Sequence, residues 1–409
     1  ASAFGAENAF FIVGGTTAAV QTAIFAALRP GEKIILPRNV HISALNALVL
    51  NGGIPAYVSP DIDKELGFPL GITLSALEKA MNENPDARAV FINNPTYYGV
   101  CSDISRLTKA AHSRQLSVIA DEAHGTHLYF GSDMPISGIA AGADITAVSM
   151  HKSGGSLTQS SMLLSGSGFP EYKLRQFINL TQTTSANYLL LSSLDISRRN
   201  LALRGAETFA KVQALARYAR EEINTVGGYY AYGAERADQT AGSAFYAFDD
   251  TKLVINVSGL GLSGMETYDI LRDEFNIQAE FGDMHNILAY LSVGDRERDI
   301  DRLISALSEI KRLYARPVNR AEIFDYIAPI VAMTPSAAFY SPKESIKLSD
   351  TVGRVSGEFV NVYPPGIPCL APGELITAEV VDYIRSAKAS GGFITGTKDK
   401  DVNCITVVR

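Results

Sequence analysis

The sequence Leu116-Ser117-Val118-Ile119-Ala120-Asp121-Glu122-Ala123-His124-Gly125 joins a largely apolar run to an abrupt polar end. The apolar half is typical of a buried strand, and a carboxylate stands directly at its carboxyl end. A turn residue or a helix cap is the simpler interpretation of a lone aspartate. The preceding run weakens that interpretation, because a carboxylate buried without a partner is costly.

A second stretch, Ser149-Met150-His151-Lys152-Ser153-Gly154-Gly155, follows the next strand-like run. Glycines allow the backbone to approach a ligand closely, although a lone lysine is most often a solvated surface residue. Lys152 and Asp121 together have a specific joint use. The lysine can form a Schiff base with pyridoxal 5′-phosphate (PLP), and the aspartate can keep the ring nitrogen of PLP protonated.

Short apolar runs alternate with amphipathic ones through the first half of the chain. The predicted strands are Lys33–Leu36, Pro55–Val58, Ala87–Ile92, Leu116–Ala120, Ile145–Ser149 and Ser161–Leu164. The predicted helices are Thr16–Leu28, Ile42–Leu50, Leu74–Met81, Ile104–Arg114 and Pro170–Gln176. This alternation predicts an α/β fold with a mostly parallel sheet, in which ligands bind at the carboxyl ends of strands.

Changes in the pattern of strand-like, helical and turn-forming residues divide the chain into three predicted domains. A large domain covers residues 1–243 and includes a long helix, Asn187–Val226. A small α+β domain covers residues 244–334, with its elements at Leu253–Val257, Met265–Phe275, Ile287–Val293 and Ile300–Leu313. Residues 335–409 form a turn-rich third domain, which contains the rigid segment Val362–Pro368 and a helix at Ala378–Ala389.

Composition excludes several classes of protein. The chain has 409 residues, is 46% hydrophobic and 19% charged, and carries a formal net charge of −7. A globular protein with a large core is therefore expected, and neither a nucleic-acid partner nor a membrane span is indicated. The three widely spaced cysteines indicate a reducing, cytoplasmic environment without disulfides or structural zinc.

Other polar residues permit alternative interpretations. Gly14-Gly15-Thr16-Thr17 precedes a helix and could bind phosphate together with Ser149, although simple capping is the better interpretation of this loop alone. His41 could stack on an aromatic ring or bond to the backbone. His124 and His127 permit a metal site, which we rank below PLP because HExxH is absent. Thr183-Thr184-Ser185 is typical of a cap unless an oligomer brings it to a phosphate.

Together these motifs resemble the Orn/Lys/Arg decarboxylase family of PLP enzymes, which have the aspartate-aminotransferase fold. The resemblance covers nearly the whole chain and rests on Gly15–Thr17, Asn94–Gly99, Asp121–Gly125, Ser149–Ser153, Gln182–Tyr188, Val254–Val257 and Tyr363–Pro368. The last motif matters most, since many PLP enzymes share an Asp and a Lys. The resemblance implies a PLP-dependent large domain, a small α+β domain and a decarboxylase-type carboxy-terminal domain.

The family pattern also implies roles for individual residues. Lys152 would form the Schiff base, Asp121 would bind the pyridine nitrogen, and His151 would lie beside the reacting bond. The other implied cofactor contacts are Gly15, Thr16, Thr17 and Ser149 at the phosphate, His41 and Ala123 on the two ring faces, and His124. Thr184 or Ser185 would reach the phosphate of a neighbouring subunit, which implies a homodimer with shared active sites. The family's usual N-terminal segment is expected ahead of Ala1.

The implied reaction is decarboxylation of arginine, lysine or ornithine. An acidic group should bind the distal cation of this substrate, and Asp350, Glu358 and Glu280 are the candidates. The alternatives are a PLP aminotransferase or an α-oxoamine synthase, which would need a carboxylate-binding arginine such as Arg296 or Arg298. A catalytically silent PLP-binding homologue is a further alternative, although retention of both Lys152 and Asp121 argues against it.

Overall fold

The structure, a computed structural model, describes residues 1–185, 187–240, 242–318, 326–363, 367–389 and 392–409. The strands of its first part are β1 (Asn8–Ile12), β2 (Lys33–Pro37), β3 (Ile54–Val58), β4 (Ala87–Asn93), β5 (Val100–Cys101), β6 (Ser117–Glu122), β7 (Ile145–Val148) and β8 (Ser161–Ser165). The helices there are α1 (Gly15–Ala27), α2 (Ile42–Asn51), α3 (Leu74–Glu83), α4 (Ile104–Ser113), α5 (Met150–Ser153) and α6 (Glu171–Thr181).

Seven of these strands form one sheet in the order β1-β8-β7-β6-β4-β2-β3. The central pairs from β3 to β7 are parallel, whereas β8 runs antiparallel to both β7 and β1. The predicted α/β fold with a mostly parallel sheet is therefore confirmed. The predicted strands are present with their ends within two residues, and β1 is an additional edge strand.

The register of the sheet brings the two decisive stretches together. Asn93 of β4 pairs with Asp121 of β6, and Asp121 pairs in turn with Ala147 of β7. The central strands are almost entirely buried, because helices cover both faces of a parallel sheet. Asp121 and the residues after β7 consequently lie at the same carboxyl edge.

A second, antiparallel sheet has the strand order β12-β13-β11-β9. The elements of this part are α7 (Tyr188–Val226), β9 (Tyr230–Tyr232), β10 (Ala247–Phe248), β11 (Lys252–Asn256), α8 (Gly264–Asp273), β12 (Phe281–Gly282), β13 (Asn286–Tyr290) and α9 (Glu297–Tyr314). The predicted long helix and the predicted strand–helix–strand–helix order are confirmed. Strand β10 pairs with β5, so this part of the chain is joined directly to the loop that follows β4.

The carboxy-terminal part consists of α10 (Pro335–Tyr340), β14 (Lys343–Lys347), β15 (Val360–Tyr363), β16 (Ile367–Leu370), α11 (Ala378–Ala389), β17 (Phe393–Thr395) and β18 (Cys404–Val408). The predicted helix at Ala378–Ala389 is confirmed. Within the predicted rigid segment, Pro364, Pro365 and Gly366 lie outside the described residues. Among the helices of the described ranges, none is both long and apolar enough to span a bilayer.

Candidate active site

A cavity of about 360 Å³ opens at the carboxyl edge of the seven-stranded sheet. Its walls come from the loops after β2, β4, β6 and β7 and from the start of α1, as the sheet topology requires. The predicted residues that line this cavity are Gly15, Thr16, Thr17, His41, Asp121, Ala123, His124, Ser149, His151 and Lys152. The chain thus brings together in space ten residues that are spread over 138 positions of sequence, from 15 to 152.

Lys152 lies on the single-turn helix α5, directly after β7. Burial lowers the pKa of its amine, although the carboxylates of Asp121 and Glu280 oppose this effect. Its Nζ lies 2.8 Å from Nε2 of His124 and 5.5 Å from the centre of the Tyr97 ring. A lysine with a lowered pKa has more of the neutral amine, which is the form that attacks an aldehyde.

Asp121 is the fifth residue of β6 and is only 7% exposed. Its Oδ1 accepts a hydrogen bond of 3.0 Å from the backbone N–H of Ala123. Burial raises the pKa of this carboxyl group, and the nearby His41 and Lys152 act in the opposite direction. A cation placed in the cavity beside Asp121 would relieve the cost of burying the ionised form.

Hydroxyl groups gather at the start of α1. Oγ1 of Thr16 lies 2.5 Å from Oγ of Ser149 and 2.7 Å from Oγ of Ser161. Gly15 adopts a φ of +73°, which glycine tolerates, and its N–H donates a 2.9 Å hydrogen bond to the carbonyl oxygen of Gln159. Helix N-termini attract anions, and hydroxyl groups add donors, so this end of the cavity can hold a phosphate.

Two histidines that line the cavity are held by local hydrogen bonds. His41 is the N-cap of α2, where its Nδ1 accepts from the N–H of Ser43, yet the residue stays exposed and lines the cavity. The structure is thus compatible with both interpretations of His41, as a cap bonded to the backbone and as a ring that stacks on an aromatic group. Nδ1 of His151 lies 2.8 Å from the carbonyl oxygen of Ser160 and donates to it, which leaves Nε2 as the acceptor.

The two histidines of the metal interpretation have different partners. Nε2 of His127 lies 2.9 Å from Oδ1 of Asp249, and both residues are fully buried. His124 instead lies between two lysines, since its Nδ1 is 3.2 Å from Nζ of Lys252. Within the described residues, no group of three or more His, Cys, Asp or Glu is arranged to hold a metal ion.

Lys252 and Tyr97 take part in the site, although neither of them is assigned a role from the sequence. Tyr97 lies in the predicted motif Asn94–Gly99, whereas Lys252 lies outside every motif. Lys252 begins an apolar strand, where a lysine is normally a sign of the strand end rather than of a buried amine. Tyr97 donates a 2.6 Å hydrogen bond to Oε1 of Glu280 and packs against His124, with ring centres 4.2 Å apart. The contacts between the two parts of the chain show what these side chains touch.

Several predicted residues lie outside the cavity wall formed by this single chain. Thr184 and Ser185 are exposed between α6 and α7. Asp350 accepts a hydrogen bond from Ser349 on the surface, and Glu358 accepts from the N–H groups of Lys398 and Thr406 within the carboxy-terminal part. Of the three candidate acids, Glu280 is the one in contact with a lining residue. The exposed Arg296 and Arg298 both pair with Asp299 at the start of α9.

The residues present fit PLP at each of its functional groups. The buried Asp121 suits a protonated ring nitrogen, the hydroxyl groups at the start of α1 suit a phosphate, and Lys152 suits an aldehyde. His41 and Ala123 line the space between these ends. The fold and this set of groups define the class of the protein, which is a PLP-dependent enzyme.

Comparison with known proteins identifies the family. Residues 1–299 match the model of the Orn/Lys/Arg decarboxylase major domain, and residues 319–398 match that of the Orn/Lys/Arg decarboxylase C-terminal domain. The chain belongs to the Orn/Lys/Arg decarboxylase family. It is a PLP-dependent enzyme that decarboxylates a basic amino acid.

Individual relatives agree with this assignment. The chain is 42% identical over 413 residues to an arginine decarboxylase of Bacillus subtilis, covering 100% of this chain and 84% of the relative. An arginine decarboxylase of Halalkalibacterium halodurans matches with the same identity and coverage. The crystal structure of a Francisella novicida lysine decarboxylase superposes with a TM-score of 0.85 at 19% identity, covering 100% of this chain and 70% of that one, and so supports the fold.

Proposed function

We propose that this protein decarboxylates L-arginine. The observation that carries the proposal is the difference between two groups of relatives. Arginine decarboxylases match the whole chain at 42% identity, whereas the constitutive lysine decarboxylase of Escherichia coli matches 94% of it at 23%. Substrate pockets diverge faster than folds, so the higher identity favours arginine over lysine or ornithine.

We infer the following roles for the residues of the cavity. Lys152 is the amine that binds the aldehyde of PLP, Asp121 holds the ring nitrogen protonated, and Thr16, Thr17 and Ser149 bind the phosphate. Bound PLP supplies the electron sink for the bond that breaks as CO2 leaves. His151 lines the cavity, and its Nε2 is the free acceptor because Nδ1–H donates to Ser160, so we assign it the movement of a proton at the reacting carbon.

Glu280 is proposed to bind the distal cation of the substrate. It is the candidate acid that contacts the cavity wall, through the hydrogen bond from Tyr97. A guanidinium group has a planar set of donors that can bind a carboxylate through two parallel hydrogen bonds, which an ammonium group cannot do. A carboxylate held in one orientation by Tyr97 therefore favours arginine.

A homodimer with shared active sites is also proposed. Helices α6 and α7 expose large apolar side chains, each at least 60% exposed: Tyr172, Leu180, Tyr188, Leu189, Ile196 and Leu203. An apolar surface of this kind is typical of a subunit interface. Thr184 and Ser185 lie in the segment between these helices, so pairing of two copies at this surface would bring them towards a neighbouring cavity.

Two further predictions complete the proposal. The three cysteines are free thiols, which supports a reducing, cytoplasmic environment.

The division into domains at residues 243/244 and 334/335 stays a prediction. Strand β9, which precedes the first boundary, pairs with β11, which follows it.

The function is tested by offering arginine, lysine and ornithine separately to the PLP-loaded protein, with CO2 and the amine product measured. We expect turnover with arginine to exceed that with either other amino acid. Lys152→Ala should lose both turnover and the visible absorbance of the lysine-bound cofactor. Lys33→Ala, a surface lysine paired with Asp86, is the matched control. Preferential turnover of lysine, or normal turnover by Lys152→Ala, would refute the proposal.

A further inference from the structure

Lys252 is a fully buried lysine from the second sheet. The strand register places it opposite Tyr290 of β13, and its Nζ lies 3.4 Å from the centre of the Tyr290 ring. Gly99 closes the other side, since a Cβ there would lie 2.8 Å from Cγ of Lys252. The stem of Lys252 is thus confined, and its amine is directed to one place.

The amine of Lys252 is directed to the ring of His124, whose two nitrogens each contact a lysine amine. Nζ of Lys252 lies 3.2 Å from Nδ1 of His124, and Nζ of Lys152 lies 2.8 Å from Nε2. His124 is itself only 8% exposed. A continuous chain of hydrogen bonds therefore runs from the cavity amine of Lys152, on α5, to the buried amine of Lys252 on the antiparallel sheet.

The chemistry of imidazole restricts the charges that this chain of hydrogen bonds can carry. A neutral imidazole has one N–H donor and one acceptor nitrogen. Burial and the two neighbouring lysines hold the pKa of His124 well below its usual range, so the ring stays neutral. Two ammonium groups cannot both donate to this ring, whereas one ammonium and one neutral amine satisfy both nitrogens. Burial also lowers the pKa of Lys252 to about 7.

The charged and titratable groups around this chain of hydrogen bonds favour a single proton that is shared between the amines of Lys152 and Lys252. Lys252 faces Asp249, Lys152, Glu280 and Cys101 in addition to His124 and Tyr290, and Lys152 faces Asp121, Glu280 and His41. Burial acts to raise the pKa of Asp249, but His127 and Lys252 hold it at about 2. A proton that arrives on Lys252 therefore meets a permanent carboxylate nearby and an aromatic face in contact.

We propose that Lys252 is a positioning residue that accepts, through His124, the proton that Lys152 loses before its amine can attack an aldehyde. This inference rests on Lys152 being the lysine that binds PLP. An N–H bond of the Lys152 ammonium breaks as one forms at Nε2 of His124. The N–H bond at Nδ1 breaks as one forms at Nζ of Lys252. The ring of His124 changes tautomer and stays neutral, and the total charge of the three side chains is unchanged.

The test measures capture of PLP by the cofactor-free protein rather than turnover. Protein and PLP are mixed between about pH 6 and pH 10, the product is trapped by borohydride reduction, and the Lys152 peptide is quantified by mass spectrometry. The ratio of the Lys252→Met rate to the wild-type rate at each pH cancels the ionisations of PLP itself. We expect this ratio to be about one tenth near pH 7.5 and to approach one near pH 10, which corresponds to a shift of about one pKa unit.

A purely structural role of Lys252 predicts a different result, because misplacement of Lys152 would slow capture at every pH. A ratio that is constant across the pH range therefore overturns the inference, as does a ratio of one throughout. Lys33→Met, the same substitution near the opposite edge of the sheet, should give a ratio of one. Should Lys252→Met not fold, His124→Gln breaks the same chain and has to give the pH-dependent ratio. Residual capture in Lys152→Ala would instead refute the assignment of Lys152.

Discussion

Glu122 is a fully buried acid directly beside Asp121 in β6. Its Oε1 accepts a 2.7 Å hydrogen bond from the N–H of Gly138, and its Oε2 accepts from the hydroxyl of Tyr129. Burial raises the pKa of this carboxyl group from 4.5 to about 8. The folded protein therefore retains a proton that the unfolded chain releases, and stability falls as the pH rises from about 4.5 to about 8.

The variant Glu122→Gln should remove this pH dependence, since an amide keeps the shape of the side chain without ionising. Its oxygen can accept from the N–H of Gly138, and its NH2 group can donate to the oxygen of Tyr129, as a protonated carboxyl group would. We expect the wild type to lose about 2 kcal/mol of unfolding free energy relative to the variant between about pH 6 and pH 8. Urea unfolding at both pH values, with the same PLP occupancy, measures the difference. Parallel pH profiles for the two proteins would show that Glu122 does not titrate in this range.

Glu280 permits a prediction about substrate choice. We expect Glu280→Gln to raise KM for arginine by about tenfold or more, because a charge-assisted pair is replaced by a neutral one, with a smaller change in kcat. Steady-state kinetics with arginine and lysine provide the measurement. Glu358→Gln is the matched control, since its carboxylate accepts backbone N–H groups in the carboxy-terminal part. Equal effects of both variants on KM would contradict the role of Glu280.

At the scale of elements, one buried ion pair connects the loop after β2 to the carboxy-terminal part. Nη2 of Arg38 lies 2.9 Å from Oε2 of Glu374, and Nη1 donates to the carbonyl oxygen of Pro368. The two charged side chains are 1% and 3% exposed. His41 and Ile367 line the cavity just beyond these contacts, so the pair also holds two parts of the cavity wall together.

Removal of one partner should be costly, because it leaves the other charge buried alone. We expect Arg38→Met to lower the unfolding free energy by about 3–5 kcal/mol and to weaken PLP binding. The double variant Arg38→Met with Glu374→Gln should be less destabilised than the single one, since no buried charge is left unpaired. Urea unfolding and PLP titration test both statements. A double variant as unstable as the sum of its singles would exclude coupling between these residues.

An element could be predicted from the sequence where its own residues determine its structure, and not where distant residues do. Buried parallel strands are apolar runs, so β2, β4, β6 and β7 are predicted with ends within two residues, and with them the edge that collects Asp121 and Lys152. Edge strand β1 is only partly buried and lacks that signal. The Arg38–Glu374 pair and the Lys252–His124 contact join positions 336 and 128 residues apart, and no local pattern indicates them.

At the scale of the whole molecule, the antiparallel sheet contacts residues that line the cavity. The carboxyl edge of the seven-stranded sheet supplies the residues proposed to bind PLP. From the other sheet and its connections, Lys252 and Glu280 each contact a residue of the cavity wall. One sheet thus holds the cofactor residues, and the other contacts them from the side on which we place the substrate. Thr184 and Ser185 remain outside this arrangement in a single chain. The proposed homodimer is the arrangement that would bring them to a cavity.

Shared sites make a quantitative prediction for mixed dimers. Lys152→Ala lacks the amine but keeps Thr184 and Ser185, and the double variant Thr184→Ala/Ser185→Ala has the opposite defect. Each homodimer should be nearly inactive. After unfolding and refolding together, half of the dimers are mixed and one of their two sites is intact, so about one quarter of wild-type activity should return. The variant Leu189→Glu, which introduces a charge into the exposed apolar surface, should prevent this recovery and give monomers in sedimentation experiments. Activity that never exceeds the residual level of the double variant would mean that each chain completes its own site.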